Sequence, residues 1–394
     1  MLRSILRQPV KHILQTQYFL YFAVMGLTLP YFNLYLSHIH LDGIQIGFLS
    51  GLRSALIMVA PMAWGLLADR LHARRILYIG MNVGATVIWM GYFWTTQFKW
   101  LAVIGLLHGI VFSPIIAFLE TFSMEALGKE KKKYGLTRLW GSIAFILVVV
   151  GCGRLFDRIG IDILLVLVLA GSGLQALSSL LIPATSAPLH PSQHLVIPEG
   201  LRSKGAVVFL ICGFLMLASH GGYYGFISIH LETLGYDKTF IGICWALASI
   251  CEIGVMAGSQ RIFSRFSLKS VLVFALIAAS LRWLALSYFT SAAPILISQS
   301  LHALTYGTFH MASILTIDRF APDRLKTFAQ TLNNSIGYGM GMTAGFLIAG
   351  YIYQQSGFVW MFRTSSLIAL CGALILIKWG KIPADPEHIS DNRV

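Results

Sequence analysis

The sequence predicts an all-α integral membrane protein of about twelve transmembrane helices, arranged as two parallel six-helix pseudo-repeats. Three observations carry this: the composition, the spacing of the apolar runs, and an internal repeat. Of the 394 residues, 56% are hydrophobic and 11% charged, and the mean hydropathy is +0.73. Soluble domains carry about 25% charged residues, so a chain this apolar cannot cover a water-facing surface and must be solvated by lipid. A helix needs roughly 20 apolar residues to cross a bilayer. Runs of that kind fall near 15–37, 44–66, 76–96, 100–122, 139–156, 162–182, 205–229, 240–260, 270–290, 294–316, 328–352 and 359–378.

The first run has no small-residue cleavage signal and is too long for a signal-peptide core, so it is expected to stay as a helix. Pro30 and Pro114 fall inside the first and fourth runs and are expected to bend them. The eleventh carries Gly337, Gly341 and Gly345, a small-residue stripe suited to close helix packing.

The formal charge of +13 does not point to nucleic acid, because its distribution follows topology. Cations fill the N-terminus (Arg3, Arg7, Lys11) and alternate loops: Arg70, Arg74 and Arg75; Lys129, Lys131, Lys132 and Lys133; Arg202 and Lys204; Arg261, Arg265 and Lys269; Arg319, Arg324 and Lys326. The opposite loops hold Lys99, Arg154, Arg158 and Lys238. By the positive-inside rule the rich side is cytoplasmic, which places both termini inside. The five cysteines lie in the runs, form no C-x-x-C pair and read as small buried hydrophobes. No H-E-x-x-H metal pair, partnered serine nucleophile or Walker A loop occurs, so neither an enzyme, a metal site, a cofactor nor direct ATP use is expected.

Leu36, Asp42, Ile46 and Gly47 recur 195 positions later as Leu231, Asp237, Ile241 and Gly242. Between the halves lies PATSAPLHPSQHLVIPEGLRSK, proline-rich and without apolar periodicity, which reads as a cytoplasmic linker. The expected division is therefore 1–182, a six-helix bundle; 183–204, the linker; and 205–394, a second bundle. Parallel repeats of this kind place a small-molecule site between the halves near mid-membrane.

The loop GLLADRLHARR (Gly65, Asp69, Arg70, Arg74 and Arg75) fits the signature G-x-x-x-D-R-x-G-x-R-R, with His72 at the second glycine. On this motif the chain resembles the major facilitator superfamily. The resemblance implies that these residues latch the halves together when the inside is closed.

An ionised side chain at the membrane centre costs about 2.5–3.5 kcal/mol on insertion scales, so deep charges need partners or water. Glu252 in the eighth run and Arg282 in the ninth each lie about 18 Å from their entry face at 1.5 Å per residue. Equal depth on consecutive helices makes an ion pair the expectation, either functional or merely orienting the helices. His302 follows on the tenth run, with His310 two turns below. HGGYYGF offers Tyr223 and Tyr224 as cavity aromatics, with packing as the equal alternative. Glu120 and Arg138, eighteen apart, belong either to a site or to the membrane rim. If helix four extends past 122 they can face a cavity together.

The last two sets carry a closer resemblance. Glu120 with Arg138, and Glu252 with Arg282 and His302, are similar to the charged residues of lactose-permease-like transporters. Thr305 stands where that family has a proton-carrying glutamate, so His302, His310 or Glu252 would have to carry the proton. YGLTRLWGSIAF, HGGYYGF, LRW and LHALTYGTFH resemble the phenylpropionate permease branch, relatives of oligosaccharide and nucleoside proton symporters. The resemblance implies a monomeric secondary active transporter. It would take up an aromatic carboxylate, a sugar or a nucleoside with protons, through a cavity lined by helices one, four, seven and ten. Drug efflux is the alternative, disfavoured because the fifth run lacks that group's Gly-Pro signature; a transport-inactive sensor is the third reading.

Overall fold

In the computed structural model, residues 7–128, 130, 134–183 and 199–383 are described. Expectations resting on residues 129 and 131–133, on most of the linker and on the chain ends lie outside the described residues. Among the described residues the secondary structure is helical, with no strand.

Nine single crossings follow the expected runs closely. They are α1 (Arg7–His38), α2 (Gly43–Leu71), α3 (Arg74–Phe93), α4 (Phe98–Leu127), α5 (Tyr134–Ile159), α6 (Ile161–Ser179), α7 (Lys204–Thr233), α8 (Lys238–Ala257) and α9 (Leu268–Tyr288). α10 (292–320) is assembled from Ala292–Ser300, a π-helical turn at Ala303–Gly307, and Thr308–Phe320. The stretch Lys326–Trp379 is continuous by hydrogen bonding but holds two crossings, α11 (326–356) and α12 (358–379), because Gly357 turns to φ 77°. That left-handed conformation suits glycine, which has no Cβ to clash. The twelve expected crossings are thus present. α4 is broken where Pro114 follows the end of Phe98–Phe112, since proline cannot supply a helical N–H.

The surface is apolar where lipid would lie: Ile76 is 70% exposed and Leu147 61%. Polar side chains turn inward instead, as with Gln17, which donates to Ser178 Oγ at 2.6 Å and accepts from Tyr78 at 2.7 Å. The repeated residues have physical roles. Asp42 accepts from the Gln45 N–H at 2.8 Å and Asp237 from the Phe240 N–H at 2.7 Å, capping α2 and α8. Leu36, Ile46, Leu231 and Ile241 are all buried. Gly47 and Gly242 lie where the two halves touch.

Those contacts run from the face bearing the α1–α2 and α7–α8 turns inward to mid-membrane. A Cβ on Gly47 would sit 2.6 Å from the Phe346 carbonyl of α11, and one on Gly242 would collide with the Val149 carbonyl of α5. Gly153 is equally closed off by the Lys238 carbonyl, and Gly350 by that of Gly43. Each half also caps a helix of the other. Asp157 of α5 accepts from the Lys238 and Thr239 N–H groups of α8 at 2.8 and 2.9 Å, and Gln354 of α11 accepts from the Gly43 N–H of α2 at 2.8 Å. His38 and Glu232 add a 2.8 Å contact between α1 and α7.

A helix cap contributes about 0.5–2 kcal/mol, so Asp157→Ala should lower the population closed at this face roughly 2- to 30-fold. Alkylation by an impermeant maleimide, added from that face to a cysteine placed at Ser249, should accelerate accordingly. An unchanged rate would show that the cap does not hold the face shut.

Candidate functional site

Below the closed face the halves separate around a cavity of ≈ 270 Å³. Its wall comes from α1 (Phe22, Met25, Leu29), α5 (Arg138, Ser142, Phe145), α7 (Tyr224), α8 (including Trp245 and Glu252) and α10 (His302, Tyr306, His310). The expected lining by helices one, four, seven and ten is corrected here: α5 and α8 contribute and α4 does not. The reason lies in the glycine contacts, where α5 and α8 cross at the closed face and so flank the space beneath it.

Arg282 is buried on α9, with 1% exposure, yet every arm of its guanidinium is placed. Nε donates to Ser298 Oγ at 3.3 Å; one terminal nitrogen lies 2.8 Å from His302 Nδ1 and 3.3 Å from Thr305 Oγ1; the other donates to Gln299 Oε1 at 3.3 Å. Its centre lies 4.4 Å from the Tyr223 ring centroid and 4.6 Å from that of Trp283, two adjacent cation–π contacts. Tyr223 is held in turn by a 2.8 Å bond to Gln299.

Arginine only donates, so His302 Nδ1 must be the accepting, unprotonated nitrogen. The ring proton of the neutral imidazole therefore sits on Nε2, which faces Glu252 Oε1 at 2.9 Å and the Tyr224 hydroxyl at 3.2 Å. The expected Glu252–Arg282 pairing is thus mediated: His302 stands between guanidinium and carboxylate. Thr305 has become a support for Arg282.

Tyr306, one step along α10, stacks on His302 with centroids 5.2 Å apart and on His310 at 6.1 Å, both nearly parallel at 9° and 6°. His310 Nδ1 meets the Tyr338 hydroxyl of α11 at 2.9 Å. An imidazole, a phenol and a second imidazole thus line one side of the cavity.

Arg138 lines the opposite wall. Among the described residues it has no hydrogen-bond or ion-pair partner; its guanidinium lies 5.3 Å from the Phe22 ring. α4 does extend past 122, to Leu127, but this does not bring Glu120 to the cavity wall. Its carboxylate accepts from the Tyr134 hydroxyl at 3.2 Å, and no bond joins it to Arg138. Arg53 lies off the cavity wall, 5.5 Å from Phe32.

In the signature loop Arg74 bridges Asp69 at 2.8 Å and Glu125 at 2.9 Å, while Arg75 donates to the Ile182 and Leu180 carbonyls at the end of α6. These bonds stay within the first half. Arg70 is exposed and Gly65 has open space around it. His72 adopts φ 53°, the left-handed conformation that the signature's glycine would take without strain.

Trp245, Gln299, Tyr306 and Tyr338 were not anticipated. Helical spacing could have found three of them: Gln299 and Tyr306 lie three and four positions from His302, and Trp245 seven from Glu252.

A family model, MFS_1 like family, matches residues 12–364. The chain belongs to that family. This MFS_1 like protein is 26% identical over 365 residues to a "Probable 3-phenylpropionic acid transporter" of Escherichia coli (strain K12), covering 90% of this chain and 93% of the relative. It is 24% identical to the maltose permease of Geobacillus stearothermophilus, over 92% and 93% of the two chains. Its fold matches the crystal structure of the nucleoside transporter NupG with a TM-score of 0.84 at 16% identity, covering 95% of this chain and all of that one. It is a secondary transporter of the major facilitator fold and not an enzyme.

Proposed function

We propose that this transporter takes up a small aromatic carboxylate together with a proton, by alternating access of two halves (1–182 and 205–394) joined by the linker 183–204. Both termini are assigned to the cytoplasm of a bacterial-type inner membrane, and a single chain is the working unit. With that orientation the packed face is external and the cavity opens inward.

The carrying observation is the contrast between the two walls. Among the described residues Arg138 presents a guanidinium with no hydrogen-bond or ion-pair partner, whereas Glu252 is already engaged by His302. Among the described residues this is the cavity's unengaged cation, whose fork matches a carboxylate, amid the rings of Phe22, Phe145, Tyr224, Trp245 and Tyr306. A neutral sugar would leave that cation unneutralised, which is why the carboxylate is preferred to the sugar or nucleoside type. The similarity to a phenylpropionic acid transporter supports the same choice.

For the proton, Glu252 faces the cavity and His302 links it to Arg282. Protonating Glu252 removes the anion that His302 serves, so one proton changes the polarity of the whole chain of contacts. The loop residues Gly65, Asp69, Arg70, Arg74 and Arg75 are assigned to the inward-closed latch. Glu120 is assigned to hold Tyr134 at the base of α5.

Arg138→Gln tests the substrate assignment. Because Arg138 has no polar partner to lose among the described residues, the variant should insert normally yet bind an aromatic acid such as phenylpropionate about 100-fold more weakly, the value of a charge-assisted bond or two. Arg138→Lys should recover only part of the affinity. Unchanged affinity for aromatic acids in Arg138→Gln would reject the assignment.

A further inference from the structure

We infer that Tyr338 transmits protonation of His310 to the contact between α2 and α11, an inference that rests on the proton-coupled reading above. Tyr338 touches both sides of that link. Its hydroxyl lies 2.9 Å from His310 Nδ1, and its backbone carbonyl accepts from Ser54 Oγ of α2 at 2.6 Å. The neighbouring contacts belong to the same seam: Thr343 donates to the Gly51 carbonyl at 3.2 Å, and a Cβ on Gly339 would lie 2.7 Å from Met58. One residue therefore spans from a titratable ring in the cavity wall to the interface between halves.

The local backbone is built to move. Tyr338 lies in the π-helical segment Ser335–Gly341, and the histidine's own helix carries the π turn Ala303–Gly307. π turns are poorer in regular i→i+4 bonding and recur at functional sites. The groups around His310 are few. Tyr306 stacks on it along α10, Tyr338 meets it from α11, and Glu252, Arg138, His302 and Tyr224 share the cavity wall.

While His310 is neutral, the phenol is the natural donor and Nδ1 the acceptor. A proton delivered by hydronium, which leaves as water, makes both ring nitrogens donors. Nδ1–H then donates to the Tyr338 oxygen, and the hydroxyl hydrogen must turn away to another acceptor. No covalent bond other than the new N–H is made, and no co-reactant is needed. The reversed bond repositions Tyr338 within its π segment, and with it the carbonyl that Ser54 holds. Acid at the cavity thereby loosens the seam that keeps the external face shut.

The test uses the full chain in proteoliposomes, with spin labels at cysteines replacing His40 and Thr233 on the external turns. Otherwise wild-type protein should shift its label-to-label distances as the pH is lowered from about 8 to about 5.5. Tyr338→Phe keeps the ring and the carbonyl and should lose most of that shift. It should retain substrate exchange within roughly threefold while losing gradient-driven accumulation at least about tenfold. Ser54→Ala, which cuts the other end of the link, should flatten the pH response in the same way. An undiminished shift in Tyr338→Phe, or loss of exchange along with accumulation, overturns the inference while leaving proton coupling intact. Wild-type accumulation that a protonophore does not affect overturns the proton-coupled reading, and the inference with it.

Discussion

Arg282→Ala should abolish gradient-driven accumulation, lowering it at least about 100-fold, while the protein still inserts in the membrane. The guanidinium gathers Ser298, Gln299, His302 and Thr305 around one buried cation. Its removal leaves His302 Nδ1 without a donor, so the imidazole is free to change tautomer and its hold on Glu252 is lost. Breaking a buried charge network of this kind costs about 3–5 kcal/mol, and a charge-assisted bond alone contributes about 1.5–3 kcal/mol. Arg282→Lys should recover little, because an ammonium is a point charge and cannot serve four partners in a plane. Uptake and counterflow assays in vesicles, with membrane content measured by immunoblot, check both variants. Accumulation within about tenfold of wild type in Arg282→Ala would refute the role given to the His302–Glu252 unit.

The second large effect is expected at the glycines of the closed face, which the proposed orientation places outside. Gly47→Leu and Gly242→Leu should each hold the external face open and reduce turnover more than about tenfold, with substrate binding preserved. The backbones there meet so closely that the Phe346 and Val149 carbonyls occupy the space of a Cβ. A leucine can be accommodated only by separating α2 from α11, or α5 from α8. Overpacking costs typically about 1–3 kcal/mol, enough to move a two-state balance by one or two decades. The residues of the cavity are untouched, so equilibrium binding of an aromatic acid should persist. Accelerated labelling of a cysteine at Ser249 from outside would accompany it. A variant that turns over normally with the external face still closed would remove these contacts from the gating mechanism.

Much of the fold was legible because lipid solvation imposes a simple rule on composition. Each apolar run became a helix, and the boundary expected between 352 and 359 is present inside the continuous 54-residue stretch Lys326–Trp379. There the divider is a single glycine, Gly357, whose positive φ leaves no mark in hydropathy. The repeat was legible too, since Asp42 with Asp237 and Gly47 with Gly242 do the same physical work in each half.

Within the candidate site, depth brought Glu252, Arg282 and His302 to one level, but depth says nothing of rotation about the helix axis. It therefore could not show that His302 would come between the two charges. Glu120 illustrates the same limit. The spacing to Arg138 allowed them to meet, and the helix reaches far enough, but the Tyr134 hydroxyl takes the carboxylate while Arg138 lies over Phe22. The π turns at Ala303–Gly307 and Ser335–Gly341 escaped for a different reason. They depend on a one-residue excess in the helical register that composition does not encode.

The central claim is that a proton drives an anionic aromatic solute through the space between Arg138 and Glu252. It is tested most directly by uptake of labelled phenylpropionate into right-side-out vesicles, with an inwardly directed proton gradient and again with a protonophore. The account predicts accumulation that collapses to equilibration when the gradient is dissipated, and that Glu252→Gln equilibrates without accumulating. Accumulation indifferent to the protonophore, or extrusion of the acid from preloaded vesicles, would contradict it.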